Sequence, residues 1–216
     1  MKLLIVAATK QEIAPLLNQL NATDELRTVS YNKHDISFLV TGIGMVATTY
    51  YLCKALRNSY DAVINVGICG SFNDNLELGE VVNIIEDQFS ELGVEDDEQF
   101  IPFKEIGMDT DTWVSNTTKH ESKVLDKVPK VTAITVNTVH GNEASITKVY
   151  NKFHPYVESM EGAAFMYVCA QENVPYVQLR AVSNKVEKRN KANWKIDLAI
   201  VNCNHKVIEI LDDFNG

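Results

Sequence analysis

"KLLIVAATKQEIAPLLNQL", residues Lys2 to Leu20, sets two periodicities end to end. Leu3 to Ala8 is apolar without alternation, the pattern of a strand covered on both faces. From Lys10 onward, Ile13, Leu16, Leu17 and Leu20 recur on one side of a 3.6-residue period, which predicts a helix to about Leu20. A doubly covered strand feeding an amphipathic helix is the repeating unit of an α/β layer. The same alternation continues along the chain. "ISFLVTG" (36–42) reads as a strand, Gly44 to Leu56 as a helix, and "DAVINVG" (61–67), "EVVNIIEDQFS" (80–90) and "VTAITVNTV" (131–139) as further strands. A helix starting at Glu161, the strand "YVQLRAVS" (176–183) and a last helix from about Ile196 to Phe214 follow. The acid-rich stretch from Glu91 to about Lys127 reads as an extended loop region. The expectation is α/β: one domain over residues 1–216, with a mixed central β-sheet flanked by helices and no repeat or linker.

Composition narrows the function. Hydrophobic residues make up 45% of the 216, with only 10 Gly and 5 Pro, so the chain is an ordinary globular one. A net charge of −9 argues against nucleic acid as partner, yet a local site can still take a small anion. Cys53, Cys69, Cys169 and Cys203 form no CxxC and no zinc spacing, which suits buried thiols in a reducing cytoplasm. The first apolar run is too short for a signal peptide, and no segment has the length of a membrane span.

"VTGIGMVA" holds Gly42, Gly44 and Ala47 as G-x-G-x-x-A between a strand and a helix, the context of a dinucleotide fingerprint. The fingerprint also needs an acid ending the next strand, and Asp61 instead precedes it. The glycines then serve a tight turn and the close approach of something small to a helix N-terminus.

Glu161 is a charge among apolar neighbours. Ala164, Phe165 and Val168 lie at i+3, i+4 and i+7 from it, so it points with the buried stripe. Either it sits in a first helical turn, where the dipole favours an acid, or it serves a site. Glu12 has the same two readings, because Thr9-Lys10-Gln11-Glu12 also spells the capping box T-x-x-E. Glu12, "GICGS" (67–71), Glu161 and "RAVSN" (180–184) all follow strands, where α/β sheets place their ligands.

In order and spacing, "LLIVAATKQEIAPL", "VTGIGMVAT", "INVGICGSF", "VESMEGAAF" and "LRAVSN" resemble the nucleoside phosphorylase/nucleosidase family over nearly the whole chain. Within it the chain is most similar to the futalosine-hydrolysing branch of menaquinone formation, on "ELGVEDDEQFIPFKEIGMD" (91–109), "VNTVHG" (136–141) and "VSNKVEKRNKANWKIDLAI" (182–200). The resemblance implies cleavage of a purine nucleoside at its N-glycosidic bond, with no cofactor or metal and with a homo-oligomer, a dimer or higher. By the same resemblance Glu161 binds the ribose hydroxyls and Met160 packs on the sugar, while Glu12 activates water. Ile68, Cys69, Gly70, Thr138, Val139, Ser159 and Trp194 line the substrate. The family's phosphorylases carry Arg before the glycine loop where this chain has Asn65, so water is the expected co-substrate. Adenine-specific members read Ser-Asp where this chain has Ser183-Asn184, which points to hypoxanthine as the leaving base; Arg180 orients the site or pairs with an acid. Lys185, Lys188, Arg189 and Lys191 either supply a cation for a substrate carboxylate or form a solvated basic loop, and Trp194 either walls the pocket or caps the last helix. The alternatives are a methylthioadenosine/adenosylhomocysteine nucleosidase, a purine nucleoside phosphorylase, and a nucleoside-binding protein without turnover.

Overall fold

The opening stretch folds as its periodicities dictate, into β1 (Lys2–Ala7) and α1 (Lys10–Gln19). Alternate residues of β1 feed two separate cores. Leu3 and Ile5 join Ile13, Leu16, Leu179, Val207 and Leu211 on one side. Leu4 and Val6 join Leu52, Val63, Phe165 and Val168 on the other. A strand that is apolar at every position is thereby covered twice. The computed structural model describes residues 1–22, 28–108, 113–116 and 122–214.

The remaining elements are β2 (Val29–Tyr31), β3 (His34–Val40), α2 (Met45–Ala55), β4 (Ala62–Ser71), β5 (Val81–Phe89), β6 (Gly93–Asp96), β7 (Gln99–Pro102), β8 (Trp113–Ser115), α3 (Lys123–Asp126), β9 (Lys130–Thr135), α4 (Glu143–Phe153), β10 (Val157–Ser159), α5 (Gly162–Gln171), β11 (Tyr176–Lys185) and α6 (Ile196–Asp213). The main sheet runs β10-β9-β5-β11-β4-β1-β3-β2, with β8 on β5. β10 also pairs with β4, so β4, β11, β5, β9 and β10 close into a ring. Pairing is mixed: β1–β4 and β4–β11 are parallel, β5–β11 antiparallel. Helices α1 and α6 pack together on one face of the sheet and α2 and α5 on the other. This is the mixed, helix-flanked α/β architecture expected.

Two segments depart from the expectation. The stretch 91–127 is not simply loop: it carries the β6–β7 hairpin, a 3-10 turn over Phe103–Ile106, then β8 and α3. Residues 109–112 and 117–121 of that stretch, Asp109 among them, lie outside the described residues. β6 is mostly exposed, and β7 and β8 are only four and three residues long, too short for an apolar alternation to mark them. Helix α4 was also unforeseen. Of its residues only Val149 is buried, although its apolar residues do recur on one side of the helix. The thiols also split, with Cys69, Cys169 and Cys203 buried as expected and Cys53 exposed.

One irregularity positions the site. β11 follows β4 in step from Tyr176 opposite Val63 to Val182 opposite Cys69, then slips, so that Asn184 faces Gly70. Ser183 is the extra residue, and a bulge of this kind re-aims the side chains after it.

Candidate active site

Glu12 lies one turn beyond β1, Ile68 to Gly70 in the second half of β4, Ser159 to Glu161 at the end of β10, and Ser183 and Asn184 near the end of β11. These segments meet around a cavity of about 380 Å³, beyond the carboxyl ends of the strands β1, β10 and β11. Glu12, Ile68, Cys69, Gly70, Val139, Ser159, Met160, Glu161, Asn184 and Trp194 all line it. Thr138 does not: its side chain is exposed and the neighbouring Val139 takes the place on the wall. Arg180 is not on the wall either but buried among the groups that are.

Glu12 closes the capping box and also faces the cavity. Its Oε2 accepts from the Thr9 amide at 2.9 Å and the Thr9 hydroxyl at 3.0 Å, and its amide donates to Thr9 Oγ1 at 3.3 Å, closing the capping box. Its Oε1 faces the other way and accepts from the Ile68 amide at 3.3 Å. Burial raises the Glu12 carboxyl above its ordinary value of 4.5; the Arg180 charge opposes this, the nearby Glu161 charge adds to it, and the bonds to Thr9 lower it.

Glu161 occupies the N-cap position of α5 but makes no side-chain bond to that helix. Ser159 Oγ takes the Gly162 amide and Thr135 Oγ1 the Ala163 amide instead. The Glu161 carboxylate turns to α2, where Oε1 accepts from the Gly44 amide at 3.0 Å. Gly42 and Gly44 hold positive φ of 87° and 93° to bring that amide around. The small group awaited at this helix N-terminus is therefore the chain's own carboxylate, favoured there by the α2 dipole.

Arg180 ties the two acids together from below. Its Nε donates to Gln178 Oε1 at 3.1 Å and its Nη2 to Asn65 Oδ1 at 2.6 Å. The remaining Nη1 has no hydrogen-bond partner and lies 3.9 Å from Glu161 Oε2. A Cβ at position 67 would fall 2.1 Å from that Nη1 and 2.9 Å from Glu12 Oε1, so Gly67 is glycine to leave the guanidinium room. Gln178 in turn donates to Asp87 at 3.1 Å, and Thr135 donates to the same carboxylate at 2.9 Å. Asp87 is pushed up to about 6 by burial, against the pull of those two donors and of Arg180. Asn65 is committed to this network, since its Nδ2 donates to Val6 O at 3.0 Å.

Asn184 Nδ2 donates to Lys185 O at 2.8 Å, and its Oδ1 accepts from Ser183 Oγ at 2.8 Å. Of the four basic candidates, Arg189 alone lines the cavity, its guanidinium 4.9 Å from the centre of the Trp194 ring. Lys185 is spent on Asn73 O and Leu76 O. Sequence reasoning missed His140 and Glu158, which line the cavity as a bonded pair. Both stood inside stretches that carried the resemblance, but a lone His after an unmarked turn gives no periodic signal. No group of three or more metal-ligating side chains occurs among the described residues, and none of their helices is long and apolar enough to cross a membrane.

Known proteins resemble this chain in sequence and fold. The chain is 27% identical to the aminodeoxyfutalosine nucleosidase of Campylobacter jejuni, over 94% of this chain and 93% of the relative. It is 31% identical to the futalosine hydrolase of Streptomyces coelicolor, over 65% of this chain and 61% of that one. The crystal structure of a 5′-methylthioadenosine/S-adenosylhomocysteine nucleosidase from Colwellia psychrerythraea, in complex with adenine, superposes with a TM-score of 0.84 at 21% identity, covering 99% of this chain and 96% of that one. The sequence profile of the phosphorylase superfamily matches residues 2–214. The chain belongs to the phosphorylase superfamily.

Proposed function

We propose that this chain is a purine nucleosidase of the cytoplasm that hydrolyses futalosine to hypoxanthine and dehypoxanthine futalosine, a step of menaquinone formation. The observation that carries the reading is the pair of carboxylates, Glu12 and Glu161, on one cavity wall with a buried guanidinium beneath them. Departure of the base leaves positive charge on the ribose, and a fixed carboxylate stabilises that charge more than it does the neutral sugar. The Glu161 carboxylate keeps lone pairs for the sugar hydroxyls after accepting from Gly44. Glu12, made more basic by burial, takes a proton from the attacking water. Asn184 has a second amide hydrogen beyond the one given to Lys185 O, and offers it to the departing purine.

Water rather than phosphate is the acceptor of the sugar. A phosphate dianion would meet the Glu12 carboxylate, and Asn65 supplies no charge to offset it. The expected result with futalosine, inosine and methylthioadenosine is hypoxanthine release from futalosine at a rate indifferent to added phosphate, and far slower reaction of methylthioadenosine. Ribose 1-phosphate formed only when phosphate is present would make the enzyme a phosphorylase. Adenine release as the faster reaction would leave a nucleosidase of the methylthioadenosine type.

The active form is a homo-oligomer. Ile43, Val46, Tyr50 and Tyr51 project from α2 and the turn before it with 62%, 84%, 62% and 46% of their surface exposed, an apolar face that a second copy of the chain covers. Ile43 also lines the cavity. Sedimentation velocity at micromolar protein should give a dimer or larger, and Val46→Glu should shift it toward monomer; a wild-type monomer removes this part of the proposal.

A further inference from the structure

The wall formed by β10 and the segment before α4 holds a pair that the chemistry above leaves unused. Glu158 is 3% exposed and lines the cavity with His140. Its Oε1 accepts from the His140 amide at 2.9 Å, and its Oε2 lies 2.6 Å from His140 Nδ1. Two bonds from one residue fix the carboxylate plane. Glu158 stands opposite Gly70 in the β4–β10 register. A Cβ added at Gly70 would lie 3.5 Å from Glu158 Cγ and 3.3 Å from Asn184 Nδ2. The carboxylate and the Asn184 amide therefore flank the same glycine.

Purines differ at their pyrimidine edge. A 6-oxopurine carries a hydrogen on N1, and a 6-aminopurine carries a lone pair there. A carboxylate only accepts, and each oxygen of Glu158 has spare lone-pair capacity after its bond to His140. The His140 amide, a backbone donor beside Glu158 that could otherwise meet an N1 lone pair, is already taken by Glu158. We propose that Glu158, positioned by His140, is the specificity-determining residue for the base: it accepts N1–H of a 6-oxopurine and turns away the N1 lone pair of a 6-aminopurine. This rests on the nucleosidase reading. A buried acceptor left facing a lone pair forfeits its bond and repels, and sites built to bond a particular hydrogen reject the analogue lacking it strongly.

The experiment compares kcat/KM for inosine and adenosine, and for futalosine and its 6-amino counterpart, in wild type and Glu158→Gln. A glutamine amide can turn either its oxygen or its NH2 to the base, so the 6-oxo to 6-amino ratio should fall at least about tenfold. A ratio that holds while the melting temperature drops makes the pair a structural clasp and overturns the proposal. Should the variant not fold, calorimetry on the unaltered protein decides: hypoxanthine is expected to bind at least about tenfold tighter than adenine, and equal or reversed affinities overturn it. Selective binding of hypoxanthine without cleavage of any nucleoside would instead sink the nucleosidase reading and leave the role of Glu158 intact.

Discussion

Glu12→Gln is expected to hydrolyse futalosine at least about 10²-fold more slowly while melting close to, or above, the wild-type temperature. The two halves of that result come from different atoms. Glutamine serves at the third position of a capping box as well as glutamate does, so the bond from the Thr9 amide survives. What it loses is the long bond from the Ile68 amide and the ability to take a proton. Burial raises the folded-state carboxyl above 4.5, so between the unfolded and folded values the folded chain holds more proton than the unfolded one. Stability from this group therefore falls as pH climbs upward from 4.5 and is lowest once the buried carboxyl is fully ionised. An amide has no such cost, which offsets the lost Ile68 bond at neutral pH. Paired melting curves and single-turnover assays read the two halves separately. A mutant with nearly wild-type turnover would show that Glu12 is only a cap.

Glu161→Gln should behave differently, losing at least about 10²-fold in turnover and melting lower as well. Its amide oxygen can still accept from Gly44, but the NH2 then faces Arg180 Nη1, which has no other partner. The buried guanidinium would keep Asn65 and Gln178 and lose the charge nearest its free nitrogen, and removing one member of a buried pair is strongly destabilising. The same melting and single-turnover measurements apply. Lower stability with intact turnover would make Glu161 a residue that holds α2 to α5 and nothing more.

Sequence periodicity was a good guide wherever burial was two-sided. β1, β4 and β11 are buried on both faces or nearly so, and their runs are visible without any partner in view. It failed at α4, of which only Val149 is buried, and at the β6–β7 hairpin, whose strands are four residues each. The site divides along another line. Glu12 and Glu161 stand just after strands and could be found by position, whereas Gly70 and Asn184, expected after strands, lie within the last residues of β4 and β11. Of the two neighbours expected on the wall, Val139 lines the cavity and Thr138 is exposed in the turn, a difference that no period marks. That Arg180 needs Gly67 opposite it, or that Gly44 feeds Glu161 across 117 positions, is written in no local pattern.

The amide of Asn204 has a consequence for the order in which this protein becomes functional. Buried in α6, it donates to Glu12 O at 2.7 Å and accepts from the Leu16 amide at 3.2 Å, bracketing Pro15, which has no N–H of its own to offer α1. The backbone of Glu12 is thus held by a side chain 192 positions later. On the ribosome the β1–α1 unit emerges before α6, so this clamp waits for the 192 positions between Glu12 and Asn204 to be synthesised. Contacts this distant in sequence close slowly, so completion of the cavity wall that carries Glu12 is tied to the docking of α6, and a nascent chain with its first strands already paired is still not the finished catalyst.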